Sequence, residues 1–263
     1  MDEPVLLTGA SGRVGEAILR HAGEDFAWRL FDREPVPRDR RPSRVAADDV
    51  FISDVTDTNA LINAIEGCKA VIHLAGDPRP EAPWKSVLEN NINGTQAVYE
   101  AAVNADVDRF IFASSNHAVG SYETNERTPA MYRSDDTYRL DGRELPRPSN
   151  LYGVSKATGE IIGRYYHDNH GIAVANVRIG NLTEGHPPID YERGQAMWLS
   201  YRDCAHLFSR CIDAEYEFEI IYGISDNDRK YYSIAHAKET LGYNPQDNSA
   251  EWQGKERIVK KGE

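Results

Sequence analysis

Val5-Leu6-Leu7-Thr8-Gly9-Ala10-Ser11-Gly12-Arg13-Val14-Gly15 joins a short apolar run to a turn with G-x-x-G-x-x-G spacing. The run reads as a buried strand, and the residues from Arg13 onward read as a helix. A turn in that position aims backbone N–H groups and a helix N-terminus at a pyrophosphate. Glycine turns alone are common; the strand before and the helix after give this one its meaning. A second strand over residues 27–31 ends in Asp32, about where a ribose-binding carboxylate is expected. Such a carboxylate accepts bonds from ribose hydroxyls and repels a 2′-phosphate, so it favours NAD over NADP. Asp32 also suits a plain turn, and Arg33 beside it pulls toward NADP.

Working outward, residues 50–53 form a third strand with Asp54 and Val55 at its carboxyl end. Residues 56–66 read as a helix stopped by Gly67. Residues 70–76 form a fourth strand that ends in Leu74, Ala75 and Gly76, small enough to admit a ligand. His73 within it is either a ligand or a buried, hydrogen-bonded core residue. The proline-rich residues 77–83 exclude regular structure and line the same edge. Residues 84–105 read as one long helical region containing Asn91. Residues 109–113 form a fifth strand that delivers Ser114, Ser115, Asn116 and His117 to the carboxyl edge, where open parallel sheets hold ligands. Residues 120–150 are a long polar connection carrying Arg127, Arg133, Arg139, Arg143 and Arg147. A helix over about residues 152–170, a sixth strand (173–178), a loop (179–196), a helix (201–212) and a seventh strand (218–222) follow. Ser233 caps a last helix that ends at Gly242, and the tail from Asp247 reads as loose.

The alternation predicts an α/β fold, a Rossmann-type doubly wound parallel sheet of about seven strands. Residues 1–181 form the NAD-binding core. Residues 182–263 form a small C-terminal substrate lobe that returns one helix and one strand to that core, in a single compact unit.

The charge balance narrows the partners. Net charge is −12, and the 30 basic residues comprise 22 Arg and only 8 Lys. That surface argues against nucleic acid and anionic membranes. It fits either a protein of high-salt surroundings, where screening removes self-repulsion, or an ordinary acidic enzyme of the cytoplasm. The start of the chain is unlike a signal peptide, and no apolar run is long enough to span a membrane. Cys68, Cys204 and Cys211 lack metal-ligand spacing, so free thiols and no metal site are expected.

Tyr152 and Lys156 stand four apart, hence on one face of a helix. An ammonium close to a phenol favours the phenolate, and a phenolate can take a proton from a substrate hydroxyl. The pair is equally readable as a surface tyrosine and a solvated lysine.

Thr8–Gly15, Asp32, His73-Leu74-Ala75-Gly76, Asn91-Ile92-Asn93-Gly94-Thr95, Ser114-Ser115 and Tyr152-x-x-x-Lys156 together resemble the extended short-chain dehydrogenases/reductases. Ala113–His117 and Val177–Gly180 are similar to the uronate dehydrogenases, which oxidise the anomeric carbon of hexuronates. The stretches 78–84 and 226–232 resemble the haloarchaeal branch of that subfamily, whose members oxidise glucose 6-phosphate with NAD. The resemblance implies Tyr152 as base, Lys156 on the nicotinamide ribose and Ser115 on the reacting hydroxyl. It implies cofactor contacts from Gly9, Ser11, Gly12, Arg13, Val14, Asp32, Asp54, Val55, Leu74–Gly76, Asn91, Tyr152, Lys156 and Asn181. Ser115, Asn116, His117, Arg193 and Arg79 are the implied substrate contacts, with Arg193 on the anion. A sugar phosphate is the expected substrate and a homo-oligomer the expected assembly. A uronate dehydrogenase, a nucleotide-sugar epimerase or dehydratase, and a non-catalytic NAD sensor are the other readings.

Overall fold

The computed structural model describes residues 3–124, 139–188 and 192–252. Seven strands form one parallel sheet: β1 (Val5–Thr8), β2 (Trp28–Asp32), β3 (Val50–Ile52), β4 (Ala70–His73), β5 (Arg109–Ser115), β6 (Ala173–Ile179) and β9 (Phe218–Gly223). Their spatial order is β3-β2-β1-β4-β5-β6-β9. The order reverses between β1 and β4, and a ligand crevice opens at such a reversal.

The sheet is buried on both faces, as parallel sheets are. Side chains alternate between two apolar cores along the central strands β1, β4, β5 and β6. Leu7, Ile72, Ile111 and Val177 enter one core. Leu6, Val71, Phe110 and Val174 enter the other. The helix Arg13–Ala22 packs against the helix Tyr201–Asp213 on the first face. The helices Gly94–Asn104 and Leu151–His170 cover the second. At Gly159 a Cβ would stand 2.3 Å from the Phe112 ring, so a bare backbone lets the latter helix lie close on β5.

Several boundaries depart from the sequence reading. The region after Trp84 is not uniformly α-helical: Val87–Asn93 is a π-helical segment, the wider winding often found at functional positions. The supposed loop over 179–196 contains β7 (Asn181–Thr183) and the short helix Glu192–Ala196. β7 pairs in parallel with β8 (Trp198–Ser200) to make a separate two-stranded sheet. Ser200 caps the helix that follows, accepting from the Asp203 N–H. Ser233 accepts from Ala235 N–H, but the last helix begins only at Ala235.

The tail is docked as far as Trp252. Asp247 accepts from Arg202 at 2.6 Å and from Ser200 at 2.6 Å, and a 3₁₀ turn runs over Ser249–Trp252. Pairing of polar groups far apart in sequence holds this segment, and its polar composition alone does not reveal that. Arg127 and Arg133 lie outside the described residues.

Candidate active site

At Gly9 the backbone takes φ 70°, and a Cβ there would stand 2.7 Å from the Ala75 nitrogen. Only glycine allows the first turn to meet the end of β4 this closely. Around this junction lies a cleft of about 700 Å³. Gly9, Ser11, Gly12, Arg13, Val14, Asp32, Asp54, Val55, Leu74, Ala75, Gly76 and Asn181 all line it, as does Arg79. Asp32 holds the glycine turn and also stands on the cleft wall. Its Oδ2 accepts from the Ser11 N–H and hydroxyl at 2.8 and 2.7 Å, while its position at the end of β2 keeps it on the cleft wall. The close-approach glycine, the helix N-terminus and the carboxylate at β2 together fit a dinucleotide with free ribose hydroxyls.

Asn91 does not reach this cleft. Its Oδ1 accepts from Asp77 N–H at 2.6 Å, and its amide donates to the Asp77 carbonyl and to Ser155 Oγ, both at 3.0 Å. It clamps the post-β4 loop to the Leu151–His170 helix. Asn90, one step along the π-helical turn, lines the cleft instead. The wider winding shifts which side chain faces outward, and an α-helical reading of the sequence misses that.

A second pocket, of about 150 Å³, opens from the same space. Val14, Leu74, Gly76, Pro78, Ile179 and Gly180 line both. Ser115, Tyr152 and Lys156 line only the inner one, with Asp77. Asn150 caps the helix by accepting from Gly153 N–H at 2.7 Å, which sets Tyr152 in the first turn. Lys156, one turn on, donates to the Ala113 carbonyl at 2.7 Å and lies 5.6 Å from the Tyr152 ring. Ser115 faces the same inner pocket as Tyr152.

The electrostatics differ from the simple expectation that Lys156 makes Tyr152 acidic. Burial pushes the phenol up to about 12; Ser115 opposes this and the Asp77 charge adds to it. Burial pushes the Lys156 ammonium down to about 8. Desolvating both partners outweighs their attraction in the bare chain. Asp77 itself is held well below the usual carboxylate range, chiefly by Arg79, whose Nε and Nη2 reach it at 2.9 and 2.6 Å. Arg79 therefore neutralises Asp77 at the cleft mouth and stands outside the inner pocket.

The sugar-side candidates gather beyond Tyr152. His117 packs edge-on to the Tyr152 ring at 5.6 Å, and its Nδ1 meets the Asn150 amide at 3.1 Å. Burial, then the Arg193 charge, lowers its pKa. The Asn116 amide, oriented to satisfy both neighbours, donates to the Ile179 carbonyl at 3.1 Å and accepts from Arg193 at 3.0 Å. Arg193 is ion-paired with Glu123 through its Nε. Glu123 in turn accepts from the hydroxyls of Tyr231 and Tyr232 at 2.6 and 2.9 Å.

A further network was missed in the sequence. Arg178, fully buried in β6, makes a bidentate pair with Glu160 at 2.9 and 2.9 Å, and Ser114 donates to the same carboxylate at 2.6 Å. An arginine inside a mostly apolar strand is the available signal. His73 is the hydrogen-bonded core residue, not a ligand. It bonds Thr8 at 2.8 Å and Thr95 at 3.0 Å, and burial pushes it down to about 3. Among the described residues no cluster of three His, Cys, Asp or Glu is placed to hold a metal, and no helix is long and apolar enough to cross a membrane.

Residues 5–194 match the family model described as the NAD dependent epimerase/dehydratase family. The NAD-dependent glucose-6-phosphate dehydrogenase of Haloferax volcanii is 68% identical over 252 residues, covering 96% of each chain. The L-arabinose 1-dehydrogenase (NAD(P)(+)) of the same organism is 39% identical, covering 94% of this chain and 97% of that one. The crystal structure of glucuronic acid dehydrogenase from Chromohalobacter salexigens superposes with a TM-score of 0.80 at 33% identity, covering 96% of this chain and 87% of that one.

Proposed function

The chain belongs to the NAD-dependent epimerase/dehydratase family, and from that premise we propose that it oxidises glucose 6-phosphate at C1 to the lactone with NAD. The 68% identity to a glucose-6-phosphate dehydrogenase along nearly the whole of both chains carries the substrate assignment. The continuity of the two pockets supports the chemistry. A sugar hydroxyl in the inner pocket would meet Tyr152 and Ser115 where the cofactor cleft ends.

NAD, when bound, supplies the hydride acceptor and a positive charge that favours the phenolate. Gly9, Gly12 and the helix N-terminus after them hold its pyrophosphate, and Asp32 its adenosine ribose. Tyr152 Oη takes the proton of the C1 hydroxyl. Ser115 orients that hydroxyl and stabilises the phenolate, and Lys156 adds its ammonium charge. Asn116, His117 and Arg193 face the rest of the sugar, with Arg193 nearest its anion.

The lactone would enter the oxidative pentose phosphate route. The acidic, lysine-poor surface suits cytoplasm of high salt, and a thermal midpoint that rises with molar KCl is expected. Residues 84–105 and 151–170 offer helix faces for a homo-oligomer, which sedimentation would test. The test of the main reading is NADH formation with sugar phosphates, hexuronates and free sugars. We expect kcat/KM for glucose 6-phosphate to exceed that for glucuronate by orders of magnitude. Similar or better turnover of glucuronate would move the assignment to a uronate dehydrogenase, the reading favoured by the fold likeness to a glucuronic acid dehydrogenase.

A further inference from the structure

The helix that carries Tyr152 and Lys156 is tied to β5 at consecutive residues, both immediately before Ser115. Lys156 donates to the Ala113 carbonyl at 2.7 Å, and the Ser114 hydroxyl donates to Glu160 at 2.6 Å. Tyr152, Lys156 and Glu160 follow one another at four-residue steps, so they share one helix face. Arg178 stands beside Ser114 in the sheet register and beside Tyr222 on its other side. Its Nε and Nη2 hold the two oxygens of Glu160 at 2.9 Å each. Its Nη1 donates to the Tyr222 hydroxyl at 3.2 Å and lies 3.8 Å from Glu144 Oε2. Tyr222 donates to that same oxygen at 3.3 Å. Glu144 also accepts from the N–H groups of Asp141 and Gly142, so it fixes the chain shortly before Asn150, the cap of the helix.

Stability alone does not call for charges here. Burying an ion pair costs desolvation, and an apolar pair of similar volume is often as stable or more so. What a guanidinium–carboxylate fork adds is direction, because two parallel bonds fix both the distance and the angle between the elements that carry them. Arg178 and Glu160 are buried and line neither the cofactor cleft nor the inner pocket. We infer that Arg178 is a positioning residue of the dehydrogenase reaction: through Glu160 and Glu144 it holds the Tyr152 helix by its body and by its entry, and so fixes Tyr152 against Ser115 at the end of β5. Ser114, bonded to Glu160, carries that setting to its neighbour Ser115. Misplacing a reacting group by about 1 Å can cost about 100-fold in rate, so this register matters more to turnover than to folding. The inference deepens the reading of Tyr152 and Ser115 given above and rests on it.

The test separates turnover from stability. In the double variant Arg178→Met/Glu160→Leu the charges are gone and the apolar contact remains. Its thermal midpoint should return close to that of the unaltered chain. Its kcat with NAD and glucose 6-phosphate, measured well below the midpoint, should stay at least about tenfold low. The KM for NAD should not move. Recovery of kcat together with the midpoint, or a fall confined to KM, would overturn the inference and leave Arg178 a structural counter-ion. If the double variant does not fold, Arg178→Lys decides. It keeps the charge but loses the two-point fork, and its kcat should fall several-fold; an unchanged kcat would overturn the inference. Failure of both variants to fold would assign Arg178 to folding alone and overturn it too. If the unaltered chain prefers glucuronate, the substrate reading fails, whereas the same comparison made with glucuronate still reports on Arg178.

Discussion

Two neutral hydrogen-bond chains lie beneath the cofactor edge of the sheet, whereas ion pairs hold the polar groups together beneath the sugar edge. Thr8, His73 and Thr95 form one neutral chain, and Asn91 with Ser155 forms another. On the other side Arg178 pairs with Glu160 and Arg193 with Glu123. The difference follows from what each edge must do. A dinucleotide is held largely by backbone N–H groups and a helix end, which need only close packing behind them. An anionic sugar would call for a side-chain cation, and a cation drawn partly out of water needs a fixed counter-charge to stay in place.

The comparison breaks most readily at Arg178. Arg178→Met leaves Glu160 buried without its partner, so a loss of about 3–5 kcal/mol is expected. Replacing Glu160 by Leu as well should recover most of it, because an apolar pair needs no compensation. Thermal midpoints of the single and double variants measure this. An unstable double variant would show that shape, not charge, holds the sugar edge.

Tyr152→Phe should lower kcat by at least ~100-fold, the lower end of what a lost general base costs. NAD binding should persist, since the cofactor cleft is lined by other residues. Near-normal turnover would remove Tyr152 from the mechanism.

The neutral edge has its own signature in pH. The folded value of His73, about 3, lies below its ordinary value of 6.5, so the unfolded chain takes up the proton first. Its contribution is therefore complete above about pH 6.5 and is lost as pH falls toward 3, by up to about 1.4 kcal/mol per pH unit. His73→Gln, able to bond both threonines, should unfold less steeply with acid across that window. Equal slopes would mean that His73 is already charged in the fold.

Asp32→Ala should have the smallest effect. Loss of a ribose contact should raise KM for NAD by roughly tenfold. The gap to NADP should narrow, because the repulsion of a 2′-phosphate goes too. Kinetics with both cofactors decide it, and an unaltered enzyme that prefers NADP would point to Arg33.

How much of this was legible beforehand follows the same division. The strand Val5–Thr8, its glycine turn and Asp32 sit within one βαβ unit, where spacing along the chain is spacing in space. Tyr152 and Lys156 are likewise neighbours on one helix turn. Those features, and the seven-strand parallel sheet, could be read from periodicity and turn chemistry. The sequence by itself therefore determined the fold class, the cofactor cleft and the Tyr152–Lys156 pair, because each depends on local backbone geometry. Only the tertiary structure decided that Glu123 meets Arg193 and Tyr231, that Arg178 meets Glu160, and that Asn91 turns inward while Asn90 faces the cleft. The first two depend on which loops and strands the sheet order brings together, and the last on a π-turn. Tertiary structure also set the Tyr152 phenol high, since burial is a property of the packed whole and outweighs the charge of a lysine one turn away.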